Sequence, residues 1–254
     1  METRFEFKDF LKVFGLAIFL FIFFVGLLKV TPGSGTFLST LHPSVSFLIE
    51  YLLQFVILFC PLWIFVVGKY NASLEDLGFK KVKLSQLIKT VLACYVGYLV
   101  FAYLLTLVLS ETGLRIPGYE NQESYIPLFG DDLRGYVVGF VLVGVIAPFA
   151  EEILFRGFIY RVFIKTWPIW LGSILSAALF ALIHIQFQTF IPLFVLGLLL
   201  NYSYRKTDSI WTPIALHSLN NILAFSVEVY LSLHPEVLAY LAQAHTFVYT
   251  VQIS

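Results

Sequence analysis

Long apolar runs alternate with short polar interruptions along nearly the whole chain. Seven stretches, roughly 11–29, 45–68, 86–110, 135–162, 168–187, 189–204 and 209–231, read as helices that cross a bilayer. Crossing a hydrocarbon core of about 30 Å takes about 20 apolar residues, and most of these stretches supply them. Segments rich in Pro and Gly separate the runs: "TPGSG" at 31–35 and "RIPGYENQESYIPLFGDD" at 115–132 are extramembrane loops. The pattern predicts an all-α, polytopic transmembrane bundle of seven to eight spans, with residues 1–254 as one integral membrane domain. A charged N-terminus before the first run has the outline of a signal peptide. Its apolar part is long for that role, at about 17 residues, and no A-x-A site follows, so it is expected to stay as the first span. The tail from 235 to 254 is too short in apolar length to assign as an eighth span.

Composition agrees with the pattern. Of 254 residues, 59% are hydrophobic and 13% charged, against about half and a quarter in soluble domains. A formal net charge of zero supplies no basic field for nucleic acid, so the bilayer is the first partner expected and nucleic acid is not one. Cys60 and Cys94 sit inside apolar runs without a C-x-x-C pattern and predict no disulfide. The loop charges then orient the bundle. With the N-terminus in the cytoplasm, twelve cations fall on the inside (Arg4, Lys8, Lys12, Lys69, Lys80, Lys81, Lys83, Lys89, Arg161, Lys165, Arg205, Lys206). Three fall on the outside, Lys29, Arg115 and Arg134. That excess follows the positive-inside rule. "LEDLGFKKVKL" at 74–84 reads as an amphipathic surface loop. "NAS" at 71–73 lies in a predicted cytoplasmic loop and is set aside as a glycosylation signal.

Against this background a few polar side chains stand out, because a charge at the centre of a spanning helix costs about 2.5–3.5 kcal/mol on insertion scales. The fourth span carries Glu151, Glu152 and Arg156. Glu152 and Arg156 are four apart and can pair on one face, whereas Glu151 is rotated about 100° away. The fifth span places Phe180 one turn before His184, so the ring can pack beneath the imidazole. The seventh places His217 one turn before Asn221, with Glu228 on roughly the same face two turns on. Taken singly, a membrane histidine or asparagine is more often interhelical hydrogen-bonding glue than a catalyst. A Glu–Arg pair alone is as readily structural. Glu50 with Gln54 in the second span is read as a structural pair, and Glu228 as a weak candidate. The weight comes from three polar motifs in the last half of one bundle.

If Glu151, His184, His217 and Asn221 converge, a Glu–His pair can take a proton from water and return one to an amine leaving group. A histidine and an asparagine side by side can donate to a developing oxyanion. No nucleophile is paired with a base; Ser218 adjoins His217, but neighbours in sequence do not face each other on a helix. Glu151, His184 and His217 would also serve zinc by ligand type. Neither H-E-x-x-H nor Glu-x-x-His spacing is present, so hydrolysis without a cofactor is expected and zinc is the lesser alternative.

"EEILFR" (151–156), "FALIH" (180–184) and "HSLNN" (217–221) match, in order, the motifs E-E-x-x-x-R, F-x-x-x-H and H-x-x-x-N. The chain therefore resembles the CPBP family, the type II CAAX prenyl endopeptidases and bacteriocin-processing or self-immunity proteins, also described as glutamic intramembrane proteases. The likeness covers residues 135–230, the expected catalytic core, and "LEDLGFKK" resembles a short loop of bacterial members. It implies Glu151 as the base activating water with His184 assisting, and His217 and Asn221 as the oxyanion hole. Glu152 and Arg156 would be the orienting pair, with Phe180 as packing. It also implies an endopeptidase acting on a membrane-associated peptide or lipidated protein, through a site open to the cytoplasm. Compact length and short loops suggest a prokaryotic cell membrane. For Glu151 and His184 to share a depth, the fifth helix must extend past its predicted end or tilt. A catalytically silent interaction or self-immunity protein is the first rival reading. A proton-coupled carrier is the second, disfavoured because Pro61 and Pro148 do not pair into inverted repeats.

Overall fold

A computed structural model describes residues 3–31, 38–114, 124–185 and 189–237, and every regular element among them is helical. Seven principal helices overlie the seven predicted runs. These are α1 (Phe7–Val30), α2 (Pro43–Gly68), α3 (Leu84–Thr112), α4 (Leu133–Thr166), α5 (Ile169–Leu182), α6 (Phe190–Thr207) and α7 (Trp211–Leu233). A four-residue helix, Ile126–Phe129, precedes α4.

Among the described residues, five helices are long and apolar enough to cross a membrane: α1, α2, α3, α4 and α7. Five is fewer than the seven to eight expected, and that higher count is not confirmed. α5 has only 14 residues, about 21 Å at 1.5 Å per residue. α6 has 18 but carries Asn201, Ser203, Arg205 and Lys206 in its second half. Most of the tail, residues 238–254, lies outside the described residues, as does half of the 115–132 loop, residues 115–123.

α4 is the central helix. Half of its apolar window is buried, compared with 11% for α1. α1 turns Phe19, Ile22 and Phe23 outward, as suits a helix whose solvent is lipid. Asp132 starts α4 by accepting the Gly135 N–H at 2.7 Å. α4 then approaches α7 closely because two positions on it have no side chain. A Cβ at Gly139 would meet the Phe225 ring at 2.3 Å, and one at Gly144 would meet Ile222 Cγ1 at 2.7 Å. The core under the other face of α4 holds Phe155, Phe158, Phe180, Leu196, Leu200 and Leu216.

The cationic segments gather at one end. Arg4 pairs with Asp76 at 2.7 Å, Lys80 with Asp208 at 2.7 Å, and Lys69 with Asp9 at 2.6 Å. Lys165 Nζ donates to the carbonyls of Thr3 and Phe5, each at 3.0 Å, and Arg161 donates to the Asp76 carbonyl. The Ser73 N–H and hydroxyl, with Arg4, hold the Asp76 carboxyl below its ordinary range. At the opposite end, His42 Nε2 lies 3.2 Å from Asp132, and the Tyr125 N–H donates to Glu228 at 2.9 Å. That bond, with Ser124 at 3.3 Å, gives Glu228 a place tying the short helix to α7.

Candidate active site

Around its two glutamates α4 departs twice from regular α-helix. Residues Leu142–Ile146 and Ile153–Ile159 are wider, π-helical turns, and Ala147–Glu152 lies between them. Such turns recur at functional sites. The first has a local cause. The Ala147 N–H bonds to the Leu142 carbonyl five residues back. Repeating that pattern would bring the next N–H to Val143, but residue 148 is proline and has none. The Val143 carbonyl is taken instead by Asn221 Nδ2 from α7, at 3.1 Å. Asn221 Oδ1 in turn accepts from Asn220 Nδ2 at 3.2 Å.

One turn on, Glu152 and Arg156 are fully buried and paired, Nη1 to Oε1 at 2.9 Å. His217 Nδ1 donates to the same Glu152 oxygen at 2.8 Å. Arg156 also donates to the Gly197 carbonyl at 3.0 Å and to Asn201 Oδ1 at 3.1 Å, and Asn201 Nδ2 donates to the Ser173 carbonyl at 3.0 Å. The Phe180 ring lies under the guanidinium at 4.8 Å. This network fastens α4 to α5, α6 and α7. A buried charge so supplied with partners is tolerable where a bare one would not be.

Glu151 faces the other way, into a cavity of about 290 Å³. α2 lines it with Phe47, Tyr51, Gln54, Phe55, Leu58 and Phe59. α4 contributes Leu142, Val143, Ala147, Ala150, Glu151, Leu154 and Phe155; Ile183 and His184 close one side, and Tyr125 and Leu128 lie toward the end opposite the cations. His184 Nε2 stands 3.9 Å from Glu151 Oε2, and that oxygen is buried without a hydrogen-bond partner among the described residues.

The condition placed on α5 is met differently from either expectation. α5 stops at Leu182, five residues short of the predicted boundary, and His184 sits in the turn beyond it. There His184 Nδ1 donates to the Phe180 carbonyl at 2.7 Å, one of the carbonyls a helix end leaves without an N–H partner. The Phe180 ring packs edge-on against the imidazole at 4.9 Å. With Nδ1 bonded to that carbonyl, Nε2 is the ring nitrogen that faces Glu151.

The predicted residues thus fall into two groups. Glu151 and His184 face each other at the cavity. Glu152, Arg156, Phe180, His217 and Asn221 are fully buried beneath it, and His217 and Asn221 do not line it. Glu151, His184 and His217 do not come together, and among the described residues no three His, Cys, Asp or Glu side chains form a metal-holding group. Sequence reading missed Tyr51 and Gln54 as cavity residues. Among the described residues no hydrogen bond joins Gln54 to Glu50, and its position three residues after Tyr51 on one face of α2 was the available signal.

Comparison with known proteins follows this geometry. Residues 133–223 match the family model of type II CAAX prenyl endopeptidase Rce1-like proteins. An uncharacterized 24.3 kDa protein of Escherichia coli is 31% identical over 96 residues, covering 35% of this chain and 44% of its own length. YdiL of Bacillus subtilis (strain 168), named as a candidate membrane peptidase, is 24% identical over 91 residues, covering 36% of this chain and 37% of its own. The chain thus spans less than half the length of these curated relatives. No solved structure matches it.

Proposed function

From the match of residues 133–223 to the Rce1-like family of type II CAAX prenyl endopeptidases, we propose that this protein is an intramembrane endopeptidase using glutamate-activated water. One observation carries the reading: Glu151 Oε2 and His184 Nε2 face each other across 3.9 Å at the wall of a cavity. That gap is too long for a direct hydrogen bond and suits a water donating to both. In the reaction the Glu151 carboxylate takes one water proton as the oxygen attacks the scissile carbonyl. The tetrahedral intermediate collapses, the C–N bond breaks, and protonated Glu151 returns the proton to the departing amine. His184 orients the water through Nε2.

The resemblance assigns the oxyanion hole to His217 and Asn221. His217 already gives Nδ1–H to Glu152, so it can donate through Nε2 only as a doubly protonated ring, and Asn221 caps Val143. We therefore propose a positioning role for both. The substrate class is a membrane-associated peptide, prenylated CAAX or leader-like. We place the cationic end in the cytoplasm of a prokaryotic cell. In that orientation the cavity extends from mid-depth away from the cations, against the cytoplasmic opening that the resemblance implies.

The test is cleavage of a farnesylated CAAX peptide and a leader-peptide panel by detergent-purified wild type, Glu151→Gln and His184→Ala, with and without chelator. Expected is cleavage by wild type that the chelator leaves intact and that falls by at least 10³-fold in Glu151→Gln. Chelator-sensitive cleavage restored by zinc would replace the mechanism. Folded wild type that cleaves nothing would turn the reading toward a silent interaction protein.

A further inference from the structure

Gln54 carries the one inference that goes further. It lies eleven residues into α2, about 16 Å along the helix, on the wall of the cavity that Glu151 and His184 share. Its side chain is exposed on the cavity and makes no hydrogen bond among the described residues. Its i,i+4 neighbour Glu50 offers it none. An amide with its donors and its acceptor open to the cavity is matched by a ligand that supplies both an acceptor and a donor. A peptide unit does so, with one N–H and one C=O. The rest of the wall points to the same guest, because beside Glu151 and His184 only Tyr51, Gln54 and Tyr125 bring polar groups among aromatic and aliphatic side chains.

We propose that Gln54 holds the substrate's backbone by amide-to-peptide hydrogen bonds, setting the scissile bond against Glu151 and His184. The inference rests on the endopeptidase reading above. It assigns substrate positioning to α2, which lies wholly outside the residues matched by the family model. It also defines the substrate as an extended peptide segment, since a helical one has already spent its N–H and C=O groups on itself. Tyr51, one turn before Gln54, borders the same space.

The experiment compares wild type with Gln54→Leu, which keeps bulk without polarity, and Gln54→Asn, which keeps the amide on a shorter stem. The full-length protein is used in nanodiscs. For cleavage of the farnesylated CAAX peptide, KM should rise about tenfold in Gln54→Leu with kcat changed less, the mark of lost ground-state binding. Gln54→Asn should recover part of the loss. A thermal midpoint within two or three degrees of wild type in each variant excludes misfolding as the cause. A second measurement does not depend on turnover: binding of a fluorescent version of that peptide to Glu151→Gln and to the Glu151→Gln, Gln54→Leu double variant. About tenfold weaker binding by the double variant supports the inference even if wild type cleaves nothing, so loss of the hydrolase reading is told apart from loss of this one. Equal binding by the two, no binding by either, or unchanged KM in Gln54→Leu would overturn it.

Discussion

Glu151 and Glu152 are adjacent in sequence and opposite in circumstance. Glu152 is fully buried and meets Arg156 and His217 on Oε1; Glu151 meets no cation so closely and stands at a cavity wall, and among the described residues each glutamate keeps its Oε2 without a hydrogen-bond partner. One hundred degrees of helix rotation separates a structural anion from a reactive one. The difference predicts different losses. Arg156→Leu strands the Glu152 charge in a dry core and should destabilise the protein by about 3–5 kcal/mol, seen as a large drop in thermal midpoint in detergent. Glu151→Gln should change stability by less than about 0.5 kcal/mol and leave that midpoint nearly unmoved, because its carboxylate has no strong partner to lose. If both variants melt alike, the division of labour between the two glutamates is wrong.

At the scale of elements, α4 works because it is irregular. Pro148 removes an N–H, the helix widens, and the freed Val143 carbonyl becomes the dock for Asn221 on α7. The two residues should therefore be energetically coupled. Asn221→Ala is expected to cost about 1–3 kcal/mol with Pro148 present, by leaving that carbonyl unsatisfied. In a Pro148→Ala background, where residue 148 regains its N–H, the same change should cost less by 0.5 kcal/mol or more. A double-mutant cycle on chemical denaturation in mild detergent measures the coupling, and strict additivity would refute it. Much of this was legible from the residues. Long apolar runs located all seven principal helices, and the i,i+4 spacing of Glu152 and Arg156 foretold their pair. The end of α5 was not legible, because "LFALIHIQF" holds neither glycine nor proline and stays largely apolar past Leu182. Nor did spacing reveal that His217 would turn to Glu152, since a helix face gives direction but not the partner across the interface. Gln54 read as half of a polar pair because α2 alone does not disclose the cavity beside it.

The whole molecule is polarised. Arg4, Lys69, Lys80, Arg161 and Lys165 are bound into one end by contacts between the N-terminus, the 69–83 segment and the ends of α4 and α6. His42, Asp132 and Glu228 mark the other. Placing the first end in the cytoplasm makes a direct forecast. In a background without Cys60 and Cys94, Asp131→Cys should react with an impermeant thiol reagent in intact cells, and Lys81→Cys only after the cells are opened. The reverse pattern would invert the bundle and place the cavity toward the cytoplasm.

The brevity of α5 reaches beyond the protein. A helix of 14 residues, about 21 Å long, rising from the cationic end, falls roughly 9 Å short of a hydrocarbon core about 30 Å thick. Such a mismatch is relieved when the bilayer thins around it. The residue at the short helix's end is His184, half of the pair that would hold the reacting water. Lipid thickness then becomes a variable of hydrolysis, because the membrane, pinched where the helix ends, sets how far water must travel to arrive.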